Sequence, residues 1–103
     1  MQSILQRDER CFLCGLPANG DPLDWHHCFG GANRKKSEQY GLKVLLHHSR
    51  CHIFGMHAVH QDIRSRQYVQ QAAQRAAMEA YEWTTDDFIR LFGKNYIVEV
   101  SHD

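Results

Sequence analysis

The spacing of apolar positions changes along the chain, and each change marks an element. Trp25 to Phe29 is apolar between its polar groups and predicts a short strand, ended by Gly30 and Gly31. Leu42 to Leu46 is apolar and β-rich and predicts a second strand. Between them, Asn33 to Tyr40 is polar and basic, a surface loop with room for one helical turn. From about Gln61 to Trp83 the pattern turns helical. Ile63, Val69, Ala72, Ala73, Ala76 and Ala80 recur at helical spacing, and alanine is the best helix former. Thr84-x-x-Asp87 resembles a capping box with Asp in place of Glu. It starts a short helix through Leu91 and Phe92, stopped by Gly93. Tyr96 to Val100 alternates and predicts a final strand. Residues 1–10 read as a short polar helix or a frayed lead-in. Residues 16–24 hold both prolines and Asn19-Gly20, and read as a loop.

These elements fill 103 residues, enough for one small α+β domain and not two. A core of this size gains from a structural metal or a partner subunit. No stretch approaches a membrane-spanning length. Residues 1–10 carry no apolar run after a basic head, so no secretory signal is expected and a cytoplasmic protein is the default. The formal net charge is zero, from 12 basic and 12 acidic side chains. That argues against a generally basic nucleic-acid coat and leaves only the local run Arg34-Lys35-Lys36.

Histidine and cysteine change the picture. Seven of the eight histidines, at 26, 27, 47, 48, 52, 57 and 60, fall in one stretch. The four cysteines, at 11, 14, 28 and 51, lie in the same half. Crowded Cys and His in a cytosolic chain point to metal rather than to disulfides. Cys11-x-x-Cys14, followed by Gly15, reads as a knuckle that places two thiolates on a tight turn. Cys51 offers a third ligand for a structural Zn2+. His48, three residues earlier, repeats the spacing of the first pair and is the expected fourth, with His47 as the alternative. A second constellation is Asp24-Trp25-His26-His27. Histidine suits both a metal ligand and a general base, because neutral imidazole binds divalent metals and titrates near working pH. A third is Cys51-His52 with His57 and His60, two of which could join His26 around one cation.

In this order the segments resemble the HNH (His-Me finger) endonuclease family. The matching pieces are Cys11-x-x-Cys14, Asp24-Trp25-His26-His27, Gly41-Leu42-x-x-Leu45, Cys51-His52 and the helix that follows. The run from His26 through Gly30-Gly31 and Arg34-Lys35-Lys36 to Glu38, with the tail Phe88 to Tyr96, is similar to small phage and prophage HNH-type proteins related to the phage recombination-enhancement nuclease. The resemblance implies a ββα-metal fold with a zinc knuckle over residues 10–60 and a helical extension over 61–97. It implies that His26 and His52 bind a divalent metal, with His60 as the last ligand and His57 as its competitor. It implies that His27 is the general base. The metal would be Mg2+ or Mn2+, with Zn2+ as a further candidate. Two positions depart from the family. Its middle asparagine appears here as Gly41 or Lys43, and His48-Ser49-Arg50-Cys51 stands where two cysteines usually stand.

The expectation is therefore a DNA endonuclease with little sequence specificity, linked to recombination or DNA processing. Arg34, Lys35 and Lys36 would hold flanking phosphates, and a recombination protein would be a candidate partner. The rival reading is a non-catalytic zinc module that binds DNA or a protein.

Overall fold

The computed structural model describes residues 1–97. Two strands, β1 (Leu23–His27) and β2 (Lys43–His47), pair antiparallel in a two-stranded sheet. The register sets Leu23 opposite His47, Trp25 opposite Leu45 and His27 opposite Lys43. Helix α1 (Arg34–Gln39) lies in the connection between the strands. A π-helical turn, His48–Ile53, follows β2 directly. Two helices follow, α2 (Ile63–Tyr81) and α3 (Thr85–Phe92). The architecture is a small α+β domain with its strands first and its longer helices last.

The first strand sits two residues earlier than its apolar pattern predicts. Cys28 and Phe29 leave the strand and turn into the core, where both are buried. Gly31, at φ +57°, makes the reversal that a side chain would resist. The polar loop becomes α1, held to the sheet by its one buried residue: the Ser37 hydroxyl accepts the Phe29 N–H at 3.0 Å.

Residues 1–10 form no helix. They run along the outer edge of β2 and satisfy part of it with side chains. Gln6 Oε1 accepts the Leu45 N–H at 2.7 Å, and Ser3 Oγ donates to the Lys43 carbonyl at 2.6 Å. An open edge would otherwise invite pairing with another chain.

Asp62 caps α2 by accepting the Arg64 N–H at 2.9 Å. The buried stripe of α2 is Val69, Ala73 and Ala77, an i, i+4 row. Ala80 and Ile63, expected on the inner face, are exposed. Small alanines let α2 lie close to the aromatic cluster brought by α3. Phe29 meets Phe88, Phe92 and Tyr96 with ring centroids 4.8–5.5 Å apart. Thr84 and Asp87 make both halves of the capping box, and Gly93 ends α3 at φ +94°. Tyr96 and Ile97 are not in a strand. The rest of the expected strand, residues 98–100, lies outside the described residues. No helix is long and apolar enough to cross a membrane among them.

Candidate functional site

The knuckle brings four ligands together. The ligating atoms of Cys11, Cys14, His47 and Cys51 lie within 4.8 Å of one another. The turn that carries the first pair closes when the Gly15 N–H donates to the Cys11 carbonyl at 2.8 Å, with Gly15 at φ +76°. His47 Nδ1 lies 3.3 Å from Cys14 Sγ and 3.9 Å from Cys51 Sγ. Its Nε2 is 2.7 Å from the Pro17 carbonyl, which can only accept, so Nε2 carries the hydrogen. Nδ1 is then left with its lone pair facing the sulfurs. Backbone N–H groups of Cys14, His47 and Leu13 outweigh burial and hold the Cys11 thiol down at about 7. Burial and the neighbouring thiols push Cys51 up to about 12. A dication would relieve that crowding of thiolates. This Cys3His set could hold a metal such as zinc.

The fourth ligand is His47, and not His48 as the spacing predicts. Spacing in sequence misleads here because the chain changes geometry between the two residues. His47 ends β2, fully buried against the knuckle, whereas His48 opens the π-helical turn and points to Asp24. Cys28 joins no ligand group among the described residues; it packs in the core, and burial raises its thiol pKa.

A second group forms on the neighbouring residues. Ring nitrogens of His26, His52 and His60 lie within 4.8 Å of one another. His26 comes from β1, and His52 follows Cys51 in the π-helical turn. His60 is fixed by two backbone bonds: the Val59 N–H donates to the Cys51 carbonyl at 2.9 Å, and the His60 N–H to the His52 carbonyl at 3.1 Å. The three rings stand 4.8–5.6 Å apart between centroids. No hydrogen bond joins them among the described residues. Burial, with His52, His60 and His27 nearby, pushes His26 down to about 3. His26 therefore presents a neutral nitrogen, the form that binds a metal. Asp24 Oδ2 accepts from His52 Nδ1 at 3.1 Å, which leaves Nε2 of that ring with the lone pair. His57 stays apart, 81% exposed and paired with Asp62 at 3.2 Å. Of the two competing histidines, His60 is the one in the group.

His27, next on β1, does another job. Its Nε2 lies 3.1 Å from Glu38 Oε2 on α1, and Lys43 Nζ lies 3.0 Å from the same oxygen. Lys43 first, then His27, holds the Glu38 carboxyl below its usual range. An ionised carboxylate only accepts, so His27 donates from Nε2, and Nδ1 is the nitrogen turned away from Glu38. The asparagine expected near Gly41 has no room there. Gly41 sits at φ +72°, and a Cβ on it would fall 2.4 Å from the Gln2 carbonyl oxygen.

His26, His27, His52 and His60 line one cleft of about 370 Å3 together with Arg34 and Arg66. Two larger hollows, about 760 and 700 Å3, lie around Trp25 and contain no histidine or cysteine. Lys36 does not reach the cleft as expected. Its ammonium donates to the Leu91 carbonyl near the end of α3. Lys35 is exposed and outside the cleft lining.

Three residues of the site carried no sequence expectation of their own role: Glu38, Asp24 as the partner of His52, and Arg66. Glu38 had a signal, being the only acidic residue between Asp24 and Asp62. Arg66 had none, since no local pattern tells that α2 lines the cleft. No family model, curated protein or solved structure matches the chain.

Proposed function

We propose that the protein is a metal-dependent endonuclease of the HNH (His-Me finger) type that hydrolyses phosphodiester bonds in DNA. The observation that carries this reading is the split of an adjacent pair. His26 lies with His52 and His60 as a set of nitrogen donors, while His27 is turned to Glu38 through Nε2, which leaves Nδ1 as the nitrogen free for other work. A ligand set beside an oriented base is what metal-assisted hydrolysis requires.

The donor set of three imidazoles suits Mn2+ or Zn2+ better than Mg2+, which prefers oxygen ligands. A divalent ion there would supply positive charge to the scissile phosphate and to the leaving oxygen. The chain's own residues do the rest. Glu38 fixes the His27 ring and stabilises it when it becomes imidazolium. His27 Nδ1 takes the proton from the attacking water. Arg34 and Arg66 bind the flanking phosphates in the cleft, as bidentate forks where the geometry permits. The Cys3His group, with zinc bound, would fix Cys51 and through it His52. The basic groups of the cleft, Arg34 and Arg66, are assigned to phosphate rather than to base edges, so little sequence specificity follows. A phage or prophage setting, with a recombination protein supplying DNA affinity, fits the neutral charge.

The test is cleavage of plasmid and single-stranded DNA with Mn2+, Mg2+ or Zn2+, comparing wild type with His27→Ala. Cleavage by the wild type, lost in the variant while metal content is unchanged, supports the reading. Equal cleavage by both in every metal sinks it.

A further inference from the structure

His52 belongs to two groups at once. A ring nitrogen of His52 lies within 4.8 Å of ring nitrogens of His26 and His60. Its Nδ1 faces Asp24, which His48 also contacts; Asp24, His48 and His52 place donor atoms within 4.8 Å of one another. Asp24 Oδ2 lies 2.5 Å from His48 Nδ1 and 3.1 Å from His52 Nδ1. His48 and His52 are four positions apart in the same helical turn, so both rings reach one face. His48 contributes to neither the knuckle nor the cleft lining.

We propose that Asp24, His48 and His52 form a second binding site for a transition-metal dication such as Zn2+, and that an ion bound there inhibits the cleft site. One carboxylate and two imidazoles make a borderline donor set that favours Zn2+ over Mg2+. Bonds of about 2.0–2.1 Å put tetrahedral ligands about 3.3 Å apart. The Asp24–His52 separation is already close to that, and His48 needs only a small outward rotation. It has the room, with 42% of its side chain exposed and Phe54 edge-on at 6.2 Å. Water would complete the coordination.

Inhibition follows from the chemistry of one ring. Neutral imidazole has one N–H and one lone pair. His52 offers its lone pair to the cleft only while Nδ1 keeps the hydrogen that Asp24 accepts. An ion on Nδ1 reverses that, leaving N–H on the cleft side. The two sites therefore compete for the tautomer of His52. The inhibitory part rests on the endonuclease reading; the binding part does not.

Two measurements separate them. In the first, His26→Ala/His60→Ala removes the cleft ligands, with His26→Gln/His60→Gln in reserve if the alanine pair does not fold. Zn2+ is titrated in by calorimetry, and bound metal per chain is counted after dialysis. We expect one ion beyond that of the Cys3His group, lost when His48→Ala is added. No additional ion, or one retained without His48, overturns the proposal. In the second, Zn2+ is titrated into Mn2+-supported cleavage. His48→Ala should need about tenfold more Zn2+ for half inhibition. Equal sensitivity overturns the inhibitory role. If the wild type cuts no DNA, the endonuclease reading falls and the ion count still decides the site.

Discussion

His27 and Glu38 meet across the sheet and α1, with His27 Nε2 3.1 Å from Glu38 Oε2. The pair sets which nitrogen of His27 is free. Glu38→Gln should weaken cleavage about ten- to a hundredfold, the usual cost of losing an orienting partner. An amide still reaches His27, but it no longer compensates the charge on the protonated ring. Glu38 is half exposed and touches neither ligand group, so metal content and melting temperature should stay as in the wild type. Steady-state cleavage beside metal analysis checks both. Unchanged cleavage would remove Glu38 from the mechanism.

Removing the knuckle ligands tests the assignment of His47. His47→Ala should lower the zinc bound by the Cys3His group and reduce thermal stability, since a structural ion contributes its binding free energy to folding. His48→Ala should leave that ion in place. Chelation should act as His47→Ala does and also disturb the cleft, because Cys51 and His52 are adjacent and tied to Val59 and His60 by backbone bonds. Equal zinc loss in both histidine variants would contradict the geometry.

The sequence made local signals legible and left relations between elements hidden. Thr84 and Asp87 sit three apart and form a capping box by local geometry, so α3 could be read with its ends. The knuckle was legible for the same reason. The fourth ligand was not, because His47 and His48 differ only by a change from strand to π-helical turn between them. Lys36 looked like a phosphate contact from its neighbours in sequence, but α3 offers it a carbonyl that no local pattern announces. In α2 alanine hid the inner face: every third or fourth position is small, and only packing against Phe88 and Phe92 selects Ala73 and Ala77.

Acid should act on the cleft through His26. Its pKa is about 3 in the folded chain against 6.5 for the free residue, chiefly through burial. Between those values the unfolded chain holds the extra proton, so stability rises with pH through that window and falls as pH drops below 6.5. His26→Gln removes this group. The melting temperature of the wild type relative to His26→Gln should therefore fall between pH 7 and pH 5, measured with the Cys3His ion bound and no other divalent metal added. A constant difference across that range would show that His26 is not held neutral.

Gln74 is a polar residue buried in α2 where its stripe is otherwise apolar. Its Nε2 donates to Asn95 Oδ1 at 2.7 Å, and its Oε1 accepts the Tyr96 N–H at 2.7 Å. It fastens the segment after α3 to α2 and so places Tyr96 on Phe29. Gln74→Leu would leave the Tyr96 N–H without its partner, whereas exposed Asn95 Oδ1 still accepts the Ile97 N–H, and should cost about 1–3 kcal/mol, read by urea denaturation. Cleavage and metal content should be unaffected, since these residues lie away from the metal ligands. A neutral effect on stability would mean that water replaces the amide.

Gly55 couples the two metal groups by contact distance alone. A Cβ at this position would lie 1.9 Å from the Arg50 carbonyl oxygen, which is backbone and cannot swing aside. The turn is pinned at that point, since the Ser49 carbonyl accepts the N–H groups of both Phe54 and Gly55 at 2.9 Å. Gly55→Ala must therefore shift the backbone that carries Cys51 and His52, one ligand from each group. We expect a loss of about 1–3 kcal/mol, as for other overpacked sites. Metal binding should weaken in the Cys3His group and in the cleft together. Loss from one group alone would show that the π-helical turn does not transmit the strain. Gly30→Ala is the control, since a Cβ there meets nothing within 4 Å. It should leave both metals and the stability close to wild type.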